Sequence, residues 1–204
     1  KIAFQKAGIV KHGSSTVIFE QTPDVDDVFV KECAKKENQL HIVREKDVSN
    51  YRYDSDLQYF DYGEMKDIAV NLKGMVQIKN ASICIEAMKI LRDDGYEVSD
   101  DSIREGLKTV IHKARMEKLS DKPFIVYDGA HNTPAMENLQ SMVSMYYSNF
   151  GRVYIVSILK SKDYRKMLGI LARDAEARFV FTSGNDTERY VDENTLYECM
   201  KEYV

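Results

Sequence analysis

The sharpest chemical signal in the chain is the segment FIVYDGAHNTP, residues 124–134. An apolar run ends abruptly in Asp128, a Gly-Ala step follows, then His131 and Asn132, and Pro134 opens a helical stretch. In open parallel sheets ligands bind just beyond the C-terminal ends of strands, so this turn sits where a site is expected. Asp128 can accept hydrogen bonds from ribose hydroxyls, while His131 and an exposed helix N-terminus can hold a carboxylate or phosphate. The same residues equally fit an Asx-type turn with a helix cap. Lys160 and Lys162 follow the apolar run VYIVSIL and can attract anions, although solvated loop lysines are the simpler account.

Positioning these groups requires a scaffold, and the periodicity supplies one. STVIF (15–19) reads as a strand, 24–36 as a helix with Val25, Val28, Phe29, Val30 and Cys33 inward, and the residues around His41 to Val43 as a second strand. Alternating aromatic and polar residues between Tyr51 and Leu72, with a turn near Gly63, favour an antiparallel hairpin. A helix over 80–93 places Ile83, Ala87, Ile90 and Leu91 at helical spacing, with Gly95 as its stop. Ser99, Asp100 and Asp101 cap the next helix, which runs to Val110. Beyond HKARMEKLSDKP the pattern becomes strand-helix alternation: FIVYD and a helix from about Pro134, VYIVSIL and a helix from about Asp163, FVFTS and a helix from about Asp192. Such alternation predicts parallel strands with covering helices. Met136, Leu139, Met142, Val143 and Tyr146 trace one face of the first of these helices, so the methionines read as core filler.

Composition narrows the function classes. The 204 residues are 44% hydrophobic and 30% charged, an ordinary globular balance, which excludes a disordered chain. A net charge of -4, with 29 basic and 33 acidic residues intermixed, leaves no basic tract for nucleic acid or an anionic membrane. No apolar run approaches the roughly 20 residues needed to cross a bilayer, and the opening residues lack a secretion signal, so a cytoplasmic protein is expected. Cys33, Cys84 and Cys199 are widely spaced without a metal-binding pattern, and read as three buried thiols.

DGAHN preceded by ARMEKL resembles the signature of folylpolyglutamate synthases, within the superfamily of Mur-type amide ligases. QKAGIVKHG (5–13), QIKNA (77–81) and ILKSKDY (158–164) match the same family in the same order. The resemblance implies an α/β chain: residues 1–119 as the later part of a Mur-ligase-type ATP-binding domain, and 120–204 as a Rossmann-like C-terminal domain with a mainly parallel sheet. It implies a monomeric ligase in which ATP phosphorylates a folate carboxylate, and the amine of L-glutamate attacks the acyl phosphate. ATP and Mg2+ are the implied cofactors, folate and L-glutamate the substrates.

Residue by residue, Lys6 matches a lysine that becomes carbamoylated and ligates metal; without the resemblance it reads as a solvated helix residue. Arg115 matches an arginine directed toward the ATP phosphates across the domain junction, the alternative being a surface ion pair with Glu117 or a neighbour. Asn80, with Gln77 beside it, matches an asparagine that contacts adenine, and it can also cap the helix it opens. Asp128 and His131 match residues around the nucleotide and the incoming glutamate. Gln5 stands where many relatives carry an acid, and Val76 where a histidine is often found.

No GxxxxGK segment followed by Ser or Thr occurs, so the phosphate cradle is missing. The chain also stops after the third strand-helix unit, before the last strands that the family fold implies, so both ends read as trimmed relative to the family, and the 204 residues alone are expected to be inactive. Dihydrofolate synthase or another Mur-type ligase is the alternative enzyme; a non-catalytic nucleotide-binding or interaction module is the alternative of another class.

Overall fold

A crossover joins the first two strands, and it dictates their direction. In the computed structural model, which describes residues 2–183 and 188–204, a short helix α1 (Ile2–Ala7) leads to β1 (Ser15–Phe19), α2 (Pro23–Lys35) and β2 (Gln39–Val43). β1 and β2 pair in parallel, Ser15 opposite Gln39 through Phe19 opposite Val43, because a helix rather than a tight turn connects them. Pro23 fits the first turn of α2, where no N–H is needed, and Asp24 and Asp26 complement the positive helix end. Of the face expected on α2, Cys33 is buried, Val25, Val28 and Phe29 are half-buried, and Val30 is exposed.

Three strands follow: β3 (Val48–Tyr53), β4 (Gln58–Tyr62) and β5 (Met65–Val70), antiparallel in that order. The hairpin expected around Gly63 is β4–β5, and Gly63 has the positive φ of 54° that its turn demands. β3 adds a strand that begins ahead of the aromatic run. Helix α3 (Met75–Asp93) starts five residues before the expected Asn80. Its buried stripe is Ile78, Ala81, Ser82 and Ile85, whereas Ile83, Ala87, Ile90 and Leu91 are only half-buried. The i, i+3, i+4, i+7 spacing of 78, 81, 82 and 85 is the core-facing set once the true start is known. Cys84 lies off that stripe and is exposed, correcting the expectation of three buried thiols. Helix α4 (Asp100–Thr109) begins as expected, with the Ser99 side chain accepting from the Ser102 N–H. Phe19, Val43, Phe60, Ile68, Ile78, Ile85 and Leu107 share one core.

The chain forms two compact units, Lys1–Ile111 and His112–Val204. The boundary expected between 119 and 120 falls inside β6 (Glu117–Asp121), which forms an antiparallel hairpin with β7 (Phe124–Tyr127). This hairpin departs from the expectation that FIVYD opens a parallel sheet: the two-residue link Lys122-Pro123 keeps the strands adjacent and antiparallel. Then come α5 (Thr133–Tyr147), β8 (Val153–Val156), α6 (Tyr164–Leu171), β9 (Arg178–Phe181) and α7 (Glu193–Met200), with β8 and β9 parallel. Asn132, Asp163 and Asp192 cap the three helices through the N–H groups of Ala135, Lys166 and Thr195. Met136, Val156, Met167, Leu168, Leu171 and Leu196 share the second core, which bears out the methionine of α5 as packing. The chain is thus mixed α/β with parallel pairs in both units. Among the described residues no helix is long and apolar enough to cross a membrane.

Candidate functional site

The end of β7 is locked to the segment just before β6. The Gly129 N–H donates to the Ala114 carbonyl at 2.9 Å, and Asp128 Oδ2 accepts the Met116 N–H at 2.9 Å. Ala114 and Met116, at φ 57° and 49°, both occupy the left-handed region, so Arg115 rides on a sharp arch between them. Glu117 Oε2 accepts the Ala114 N–H at 2.8 Å and completes the arch. Glu117 is therefore a backbone acceptor, not the ion-pair partner weighed for Arg115, which makes no ion pair among the described residues.

Past Gly129 the chain turns into α5. His131 Nδ1 lies 2.9 Å from the Gly129 carbonyl; because a carbonyl only accepts, Nδ1 is the donor in this geometry, and in the neutral ring Nε2 is then the acceptor. Asn132 Oδ1 accepts the Ala135 N–H at 2.9 Å, so the Asx-turn and helix-cap reading of DGAHN is correct for Asn132. Asn132→Ala is expected to cost about 1 kcal/mol of stability, while Asn132→Asp retains the cap; thermal unfolding of the two variants checks this.

A cavity of about 700 Å³ opens in this unit. Asp128, His131, Ser157, Lys162, Thr182 and Tyr190 line it at or beyond the C-terminal ends of β7, β8 and β9, and the cavity continues back along β7 and β8 to Arg152 and Tyr154. Val126, Leu139, Val143, Phe150 and Ile155 supply apolar wall, together with Tyr147, whose phenol burial pushes above its usual range and keeps neutral. The strand-end placement inferred from the sequence thus holds for Asp128 and His131. Lys162 joins them, whereas Lys160 and the Arg115 side chain are not part of the lining.

The other expected site residues belong to the first unit. Lys6 is exposed on α1. Gln77 and Asn80 lie one turn apart on α3, the Asn80 amide donating to Gln77 Oε1 at 3.1 Å. Asn80 does not cap that helix; Gly74, at φ 98°, holds the cap position. The residue that sequence reasoning missed is Gln58, wholly buried in β4, whose side chain holds the backbone of Gly74. Its only signal is a glutamine inside an aromatic strand pattern.

Among the described residues no three His, Cys, Asp or Glu side chains are grouped to hold a metal. Lys6 as an ammonium repels a cation, and only its carbamate would offer suitable oxygens. The described residues alone therefore do not fit a magnesium site.

The cavity brings a carboxylate, an imidazole and a lysine together beyond strand ends of an α/β unit, the place where folds of this class hold polar small molecules. No family model matches the chain. It is 34% identical over 172 residues to folylpolyglutamate synthase of Lacticaseibacillus casei, covering 81% of this chain and 40% of that protein. It is 28% identical over 183 residues to dihydrofolate synthase/folylpolyglutamate synthase of Bacillus subtilis, covering 87% of this chain and 43% of that protein. A solved complex of FPGS with AMPPCP and folate superposes with a TM-score of 0.76 and 32% identity, covering 88% of this chain and 44% of that one. The chain belongs to the folylpolyglutamate synthase / dihydrofolate synthase family. It spans about two fifths of the length of the curated relatives it matches.

Proposed function

We propose that this chain is part of an ATP-dependent ligase that joins L-glutamate to a folate carboxylate. The observation that carries the reading is the strand-end turn Asp128–Asn132 beside the Arg115 arch, within a chain 34% identical to folylpolyglutamate synthase of Lacticaseibacillus casei. The binding of AMPPCP, an ATP analogue, and of folate by a related solved complex supports the choice of substrates. ATP supplies a phosphoryl group: a folate carboxylate oxygen takes the γ-phosphoryl group with release of ADP. The glutamate amine then attacks the acyl carbon, expelling phosphate and forming the amide.

The residues here position reactants and balance charge. Arg115 is assigned to the nucleotide phosphates, where a permanently charged planar guanidinium stabilises charge during transfer. Asp128 and Gln77 with Asn80 are assigned to the nucleotide, and the paired amides offer donor and acceptor together for a base. His131, with Nε2 as acceptor, is assigned to orienting the attacking amine.

Folate- and glutamate-dependent ADP release tests the assignment. In the intact protein, Arg115→Ala and His131→Ala are each expected to lower kcat/KM on the order of 100-fold. The 204 residues alone, lacking a phosphate-binding loop, are expected to release no ADP. Unchanged turnover in both variants removes the site from this location. The Bacillus subtilis relative's double name favours a second reading, dihydrofolate synthase, in which dihydropteroate replaces the folate; comparing the two acceptors in the same assay separates them.

A further inference from the structure

We infer that Asp128 is a positioning residue, whose carboxylate fixes the arch that carries Arg115. This rests on the reading of Arg115 as the group that faces the nucleotide phosphates. L-residues with a Cβ avoid the left-handed region because the side chain crowds the backbone carbonyl, yet Ala114 and Met116 both adopt it, one on each side of Arg115. Such a conformation persists only where the surroundings over-determine it. Three hydrogen bonds do so: Ala114 N–H to Glu117 Oε2 at 2.8 Å, Gly129 N–H to the Ala114 carbonyl at 2.9 Å, and Met116 N–H to Asp128 Oδ2 at 2.9 Å.

The Glu117 bond closes locally over three residues, and the Gly129 bond is backbone to backbone. Asp128 alone spans twelve residues of chain with a side chain, tying the arch to the end of β7. Its position is itself well fixed, since it follows directly on the strand, and Met116 is buried, so the bond is partly shielded from competing water. The two carboxylate oxygens have separate tasks: Oδ2 accepts the Met116 N–H, and Oδ1, with no protein partner among the described residues, is left for the cavity that Asp128 lines. A side chain that looks like a ligand contact in the sequence therefore sets the direction in which a guanidinium one strand away is presented.

An asparagine keeps one carbonyl oxygen and can still accept the Met116 N–H, whereas an alanine cannot. The test uses Asp128→Asn and Asp128→Ala in the intact protein, each also combined with Arg115→Ala, with AMPPCP as the probe. The amide exchange rate of Met116 is expected to rise about tenfold in Asp128→Ala and to change less than about threefold in Asp128→Asn. AMPPCP affinity is expected to fall about tenfold in Asp128→Ala, to be partly restored in Asp128→Asn, and to fall only about threefold, the share of the direct Oδ1 contact, when Asp128→Ala is added to Arg115→Ala. A purely structural loss weakens binding in both backgrounds alike, and that result overturns the inference, as does an unaltered Met116 exchange rate. Should Arg115→Ala leave AMPPCP affinity unchanged while Met116 exchange still responds to Asp128→Ala, the hydrogen bond stands and the phosphate role of Arg115 falls, taking the functional half of the inference with it.

Discussion

Gln58→Leu is expected to destabilise the first unit by about 3–5 kcal/mol, although glutamine and leucine are close in volume. The Gln58 side chain is wholly buried. Its amide nitrogen donates to the Leu72 and Gly74 carbonyls, and its oxygen accepts the Gly74 N–H and the Tyr51 hydroxyl, both at 3.0 Å. Leucine satisfies none of the four, and each buried polar group left unpaired costs about 1–3 kcal/mol, of which local relaxation recovers part. Urea unfolding followed by circular dichroism reads the difference; a loss below about 1 kcal/mol would mean that water or a shifted loop replaces the amide. The clamp lies directly before α3, so the variant also loosens the start of the helix that carries Gln77 and Asn80.

Gln58 also marks the limit of what the sequence discloses. Features set by neighbours in the chain were legible: β1 came out residue for residue from its β-branched run, and α4, α6 and α7 begin where Ser99, Asp163 and Asp192 offer a cap. Features set by distant partners were not. Nothing local in a QYFDY strand announces that its glutamine holds a loop sixteen residues away. The start of α3 was misplaced because Gly74 caps it through backbone geometry, while the cap-like Asn80 lies in its second turn. ARMEKL looked like a connection because its strand pairing depends on FIVY, which in turn was expected in a parallel sheet.

The candidate site divides along the same line. The strand-end placement of Asp128 and His131 was legible because a strand end, a glycine and a helix start are adjacent in sequence, and both residues line one cavity. The bond from Asp128 to Met116 was hidden, since it couples a side chain to a backbone N–H on a segment that only the hairpin brings near. Sequence reasoning reads residue types well; it reads poorly which oxygen of a carboxylate is already spoken for.

Asp174→Ala is expected to cost the second unit about 3–5 kcal/mol near neutral pH, and less below pH ~4. Asp174 and Arg152 are largely buried, with side chains 8% and 15% exposed, and meet in two bonds of 2.6 and 2.7 Å. The remaining Arg152 nitrogen donates to the Ser148 and Phe150 carbonyls at 3.0 and 2.8 Å, and the Tyr154 hydroxyl donates to Asp174 Oδ2 at 2.9 Å. The pair thereby ties the end of α5 and strand β8 to the loop before β9. Removing the carboxylate alone leaves a guanidinium with much of its hydration lost and its counter-ion gone, which is more costly than removing both charges. Arg152→Met combined with Asp174→Leu should accordingly recover part of the loss. The Arg152 guanidinium, aided by Tyr154, holds the Asp174 carboxyl below its usual value of 3.8. With the folded value depressed, the unfolded chain binds the extra proton first on acidification, so the contribution is complete above the unfolded value and disappears as pH falls through the folded one. Tyr154 works in the opposite sense: burial and the Asp174 bond push its phenol up to about 12, so its share persists below 10 and is lost as pH rises toward the folded value. Urea midpoints of the parent and Asp174→Ala chains should therefore differ most between pH 5 and 9, and the gap should narrow progressively as pH falls below about 4. A gap of constant size from pH 7 to pH 3 would show that the alanine acts through lost packing and not through the ion pair.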